Sequence, residues 1–195
     1  MIRRLALISA LCALSPVSTA VAAEDAAQGD AALDRLLPVD QPLCFMRAYD
    51  AAHLKANPRQ TVTFMSLRRG YGELALEKDR REAAIKTDPQ SARFAQATLR
   101  VAFRDTGAQR WDGGATCDWQ DGRILCESTD CDGGSFELRA GGRDEILVVI
   151  QERPEQHLAF GVGDGCGAEG AGRSVGLSVD DGLFKLKRAP LAQCR

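Results

Sequence analysis

A chain of 195 residues with 25 basic and 27 acidic side chains carries a formal charge of −2 at neutral pH. That balance, without a clustered basic surface, excludes the electrostatic footprint of a nucleic-acid binder. Apolar residues make up 45% of the chain, enough for one domain with an ordinary core.

Residues 1–23 have the anatomy of a secretory leader. Arg3 and Arg4 form a positive start, Leu5–Leu14 an apolar run, and Val21-Ala22-Ala23 (or Ala20-Val21-Ala22) a small-residue cleavage site. The apolar run is too short to span a bilayer as a stable helix, and Cys12 follows Leu11, which argues against a lipid anchor. The expectation is an exported chain, periplasmic or extracellular, with no membrane span after cleavage. Removing the leader takes away two arginines and no acid, so the remainder is more acidic than the whole.

Of seven cysteines, Cys12 leaves with the leader. Cys44, Cys117, Cys126, Cys131, Cys166 and Cys194 remain, an even set that reads as disulfides in an exported protein. There is no C-x-x-C, and His53 and His157 are the only histidines, so no metal site is expected.

Residues 24–43 are acidic, alanine-rich and broken by Pro38 and Pro42, and read as a tether. Two helical turns fit over Ala31–Leu37, but the single domain is expected to span residues 44–195. Tyr49–Ala56 places Tyr49, Ala52, His53 and Ala56 on one helical face and ends at Asn57-Pro58, the one short helix near the N-terminus. Thr61–Leu67 is β-rich, with Glu73–Glu77 as its return strand. Lys78–Gln90 is a highly charged segment, a short exposed helix or a long loop tip.

From there strand follows strand. Ala97–Arg104 alternates, and Asp112-Gly113-Gly114 predicts a kink or bulge after Trp111. Asp121-Gly122 suits a two-residue type I′ turn that pairs Gln120 with Arg123, Trp119 with Ile124, Asp118 with Leu125 and Cys117 with Cys126. The same register gathers Cys117, Trp119, Ile124 and Cys126 on one face, so turn, apolar face and cysteines agree. Ser135–Ala140 puts Phe136 and Leu138 inward, and Ile146–Gln151 is apolar on both faces, a central or covered strand. His157–Gly163 is another strand. A turn at Asp181-Gly182 predicts a last hairpin with Val179 opposite Phe184 and Leu177 opposite Leu186, leaving Lys185 and Lys187 in solvent. The expected fold is all-β and mostly antiparallel, a meander barrel or a sandwich of roughly 8–10 strands, stapled by disulfides. Besides Cys117–Cys126, bridges Cys44–Cys194 and Cys131–Cys166 are favoured, because domain termini tend to lie close together.

Motifs for chemistry are incomplete. Gly172-Arg173-Ser174-Val175-Gly176 matches a nucleophile elbow, but neither a following helix nor a later histidine is there. Gly165–Gly170 matches G-x-G-x-x-G without the helix that would hold a pyrophosphate. Asp130-x-Asp132-Gly133 has Arg139 where a calcium loop needs its glutamate. His53 and His157 have no sequence-local nucleophile. No catalytic, cofactor-binding or metal residue is therefore assigned. Trp111, beside the expected kink, and Lys78, Arg80 and Arg81 are the candidates for contact with a partner.

The segment YDAAHLKANPRQTV and the cysteine-rich layout after a leader resemble small secreted bacterial proteins of unknown function. In architecture and compartment the layout is also similar to protein-type lysozyme inhibitors, with none of their functional residues matched. The function expected is a non-enzymatic exported domain that binds a protein or cell-envelope component. The alternative is a periplasmic hydrolase using His53 or His157 with carboxylates from distant segments.

Overall fold

The computed structural model describes residues 28–29, 31–38, 41–87, 94–129, 133–150, 158–160, 173–175 and 179–194. In chain order they form α1 (31–36), β1 (Leu43–Ala48), α2 (Ala51–Ala56), β2 (Val62–Arg69), α3 (Tyr71–Thr87) and β3 (Phe94–Phe103). Then come β4 (Arg110–Gln120), β5 (Arg123–Ser128), β6 (Ser135–Gly142), β7 (Glu145–Ile150), β8 (Leu158–Phe160), β9 (Arg173–Val175) and β10 (Leu183–Arg188). Single 3₁₀ turns occupy Val179–Asp181 and Leu191–Cys194.

Eight strands close into a barrel in the order β1-β10-β7-β6-β5-β4-β3-β2, every neighbour antiparallel, while β8 and β9 pair separately. Closure removes the sheet edges that a sandwich would leave. It also covers both hydrogen-bonding sides of β7, whose residues Ile146, Val148 and Ile150 face the core. The interior is filled by inward side chains of alternating phase, among them Phe45, Met65, Leu67, Leu99, Val101, Phe136, Phe184 and Leu186.

The hairpin of β4 and β5 has the expected register, Gln120 to Arg123 through Cys117 to Cys126. Asp121 and Gly122 hold φ of 51° and 78°, as a type I′ turn requires. Cys117 and Cys126 are bridged with Cα atoms 3.9 Å apart, and Cys44 and Cys194 are bridged as well. Cys131 and Cys166 lie outside the described residues, as do the leader, His157 and Asp130–Asp132.

Four expectations are corrected. Glu73–Glu77 is no strand but part of α3. The Gly70 carbonyl accepts the first helical bond from the Leu74 N–H at 3.1 Å and the Gly70 N–H donates to Glu73 Oε2 at 2.9 Å, a side-chain cap that starts a helix rich in strong helix formers. The Asp112–Gly114 kink is absent. Asp112, Gly113 and Gly114 pair with Arg100, Leu99 and Thr98 in an unbroken register. Gly114 fits a close approach, because a Cβ there would collide with Thr129 Oγ1 and that side chain would have to turn. The bulges lie instead between Val62 and Phe64 and between Ala140 and Gly142.

The Asp181-Gly182 hairpin does not form either. Residues Val179–Asp181 make a 3₁₀ turn, and β10 pairs with β7 and β1, with Phe184 opposite Val148. The Asp181 carboxylate is buried and accepts from backbone amides of Thr61 and Val62, so it anchors this segment to β2. Lys185 and Lys187 are exposed as expected and lie beside Glu145. Finally, the two helical turns within the tether do form, and they are packed. Leu33 and Leu37 are fully buried in the barrel's core cluster, with Leu36 beside them.

Candidate functional site

The two ends of the barrel are built differently. At one end lies Arg69, opposite Leu43 on β1 and fully buried. An inward guanidinium is costly unless its donors find acceptors. Here it donates to the Leu37 and Pro38 carbonyls at 2.8 and 2.7 Å and to Glu77 Oε2 at 2.5 Å. Glu77 Oε2 also accepts from the Gln96 N–H at 3.0 Å. The buried pair thus ties the turn after α1 to β2, α3 and β3, and Gly29 fits against the ring of Trp119. That end is closed.

At the other end the chain leaves β1 at Tyr49 and enters α2. Asp50 caps the helix by accepting from the His53 N–H at 2.7 Å, and the Asn57 side chain closes it by donating to the His53 carbonyl at 2.9 Å. Arg104 then clasps the helix, donating to the Leu54 and Asn57 carbonyls. The cap fixes His53, whose ring stacks on Tyr49 with centroids 4.6 Å apart. His53 Nε2 lies 2.9 Å from Gln60 Oε1, and Gln60 in turn donates to the Val62 carbonyl at 2.7 Å. Among the described residues the partners of that ring nitrogen are amides, not the carboxylate that would orient a general base.

Arg47 belongs to the same cluster. It pairs with Met65 as Phe45 pairs with Leu67, and both partners are fully buried, so Arg47 sits in the core-facing phase of β1. Its guanidinium lies 5.5 Å from the centre of the Tyr49 ring. Burial pushes the Tyr49 hydroxyl above its ordinary pKa, Arg47 opposes the rise and the Asp181 charge adds to it. Tyr49 also approaches Phe184, at 6.4 Å between ring centres. The result is an arginine, a phenol and an imidazole clamped by amide side chains, gathered on one rim of the barrel.

The residues expected to meet a partner are not brought together. Trp111 is 5% exposed, pairs with Val101 on the inner face and packs edge-on against Phe103 at 5.4 Å. It is a core residue. Lys78 and Arg80 are exposed and Arg81 partly exposed on α3, which packs outside β3. Arg173–Val175 is the strand β9, not an elbow. Glu137 is engaged by Arg139, which holds its carboxyl below the usual range. No cluster of metal-ligating side chains occurs among the described residues.

Arg47 and Asp181 escaped the sequence reading. The signal for Arg47 was a charge in core phase within LCFMRA, where Leu43, Phe45 and Arg47 alternate. Asp181 was hidden because Asp-Gly is so strong a turn signal. No family model, no curated protein and no solved structure matches the chain significantly.

Proposed function

We propose that the chain is an exported, non-enzymatic binding domain that engages a protein or a cell-envelope component with the α2 end of its barrel. The observation that carries this reading is the difference between the ends. Arg69 is neutralised within the fold, whereas at the other rim Arg47 and Tyr49 offer donors beside the clamped His53 ring, a common way for a β-barrel to present a binding surface. The leader and the bridges at Cys44–Cys194 and Cys117–Cys126 suit an oxidising compartment. No helix among the described residues is long and apolar enough to cross a membrane.

The test is capture from the source cell's own envelope with the tagged chain starting at Glu24, followed by amide hydrogen exchange on the complex. A specific partner that protects Ala51–Thr61 is expected. Capture of nothing specific overturns the binding reading, and protection confined to α3 overturns the assignment to this end.

A further inference from the structure

We infer that the partner places a single carboxylate against Arg47, with the Tyr49 hydroxyl as a second donor. The inference rests on the binding reading above and names the chemistry that the rim recognises. The barrel contains its own standard of comparison on the same pair of strands. Arg69 and Arg47 are both in core-facing phase, opposite Leu43 and Met65. Arg69 takes a carboxylate and two carbonyls. Among the described residues, the Arg47 guanidinium has no hydrogen bond or ion pair, only the face of Tyr49 at 5.5 Å. A partly buried guanidinium beside an aromatic ring keeps its planar fork of donors, which matches the two oxygens of a carboxylate.

The neighbours select within that class. The Tyr49 ring is held by His53 at 4.6 Å on one side and Phe184 at 6.4 Å on another, which limits the positions of its hydroxyl. Asp181 brings a fixed negative charge close enough to act on Tyr49. Attraction to a single guanidinium grows in proportion to the ligand's charge, whereas the cost of desolvating the ligand grows with its square, so a monoanion is favoured over a phosphate dianion at this partly buried position.

The experiment uses the chain from Glu24 onward, labelled with ¹⁵N, including the arginine side-chain Nε–Hε signals. Three probes are titrated to about 50 mM, covering dissociation constants into the weak millimolar range. They are N-acetyl-alanyl-alanine with a free C-terminus, its C-terminal amide, and inorganic phosphate. The free acid is expected to move the Arg47 Nε–Hε signal and the amides of Arg47, Tyr49 and His53 in a saturable way. The amide should leave them unmoved, and phosphate should bind at least about tenfold more weakly. Arg47→Gln should abolish the response, and Tyr49→Phe should weaken it while leaving the other amide signals in place. If Arg47→Gln fails to fold, Arg47→Lys replaces it and should weaken the response by loss of the fork. An Arg47 signal that no probe moves, or equal responses to acid and amide, overturns the inference. Envelope capture that survives in the Arg47 variant would discard the carboxylate contact and leave the binding reading intact; capture that fails in wild type removes both.

Discussion

Two carboxylates, Asp118 on β4 and Glu73 on α3, are treated by the fold in opposite ways. Asp118 lies on the outer face of β4, where burial, against hydrogen bonds from Gln120 and its own backbone, lifts its pKa above 3.8. A raised acid binds its proton more tightly in the folded state. Its contribution to stability is therefore full below about pH 3.8 and is lost as pH rises through the folded value, leaving a net cost at neutral pH. Asp118→Asn should melt higher than wild type at pH 7, and the gap should shrink on acidification. A gap that widens toward pH 4 would show that the carboxylate is needed as an acceptor. Glu73 behaves in the reverse sense. Burial alone would raise it, but hydrogen bonds from Thr98 and Arg68 outweigh burial and hold it below 4.5, so its contribution fades as the solution is acidified. At Arg69–Glu77 both side chains are almost fully buried, and removing one partner strands the other. Glu77→Ala should cost about 3–5 kcal/mol in urea unfolding, and less than about 1 kcal/mol would mean that water replaces the carboxylate there.

At the scale of elements, α1 is the segment whose packing most changes the picture of the domain. Leu33, Leu36 and Leu37 stand at i, i+3 and i+4, so one face of two turns is apolar. An isolated helix this short does not persist in water, and its stability comes from docking into the barrel end. Leu33→Ala should therefore cost about 2–5 kcal/mol, as a core truncation does. Gly29→Ala should be destabilising by about 1–3 kcal/mol, because the new Cβ would lie 2.5–2.6 Å from Trp119 carbon atoms. Thermal melts of both variants decide the matter, since a mobile tether would tolerate either change. The same segment shows where sequence periodicity stops being informative. The helical spacing was visible, but nothing local announces an open barrel end for it to fill. The β4–β5 hairpin was legible because turn chemistry, alternation and two cysteines demand one register. The start of Tyr71–Thr87 reads as a strand because Leu74 and Leu76 stand two apart, while Leu74-Ala75-Leu76 run together and fit a helix as well. What decides it is the Gly70–Glu73 cap, together with acceptors that Glu73 offers to Arg68 and Thr98 on neighbouring strands.

The whole barrel is held at a seam where its beginning meets its end. β1 and β10 pair through Phe45 with Arg188 and Met46 with Lys187, a shorter register than β1 makes with β2. Around it, Ala189 donates its N–H to the Cys44 carbonyl at 2.9 Å, and the Leu191–Cys194 turn returns Cys194 to Cys44. The two bridges therefore do different work. Cys117–Cys126 spans a separation of 9 residues inside a hairpin whose register is already fixed, whereas Cys44–Cys194 spans 150 and fastens the closing strands. Chain entropy alone makes the long bridge more stabilising by about 2.5 kcal/mol, with the short one contributing roughly 2–4 kcal/mol. Cys44→Ala with Cys194→Ala should accordingly lower the unfolding free energy more than Cys117→Ala with Cys126→Ala. Amide exchange should also rise first at Phe45, Met46, Lys187 and Arg188 in the former, because losing the bridge frees the shortest ladder. The hairpin variant should keep protection along that seam and retain partner capture, its cysteines lying far from the α2 rim. The reverse order of stabilities, or fast exchange at the β4–β5 ladder before the β1–β10 seam, would place the weak point of the closed barrel in the hairpin and not where its two ends meet.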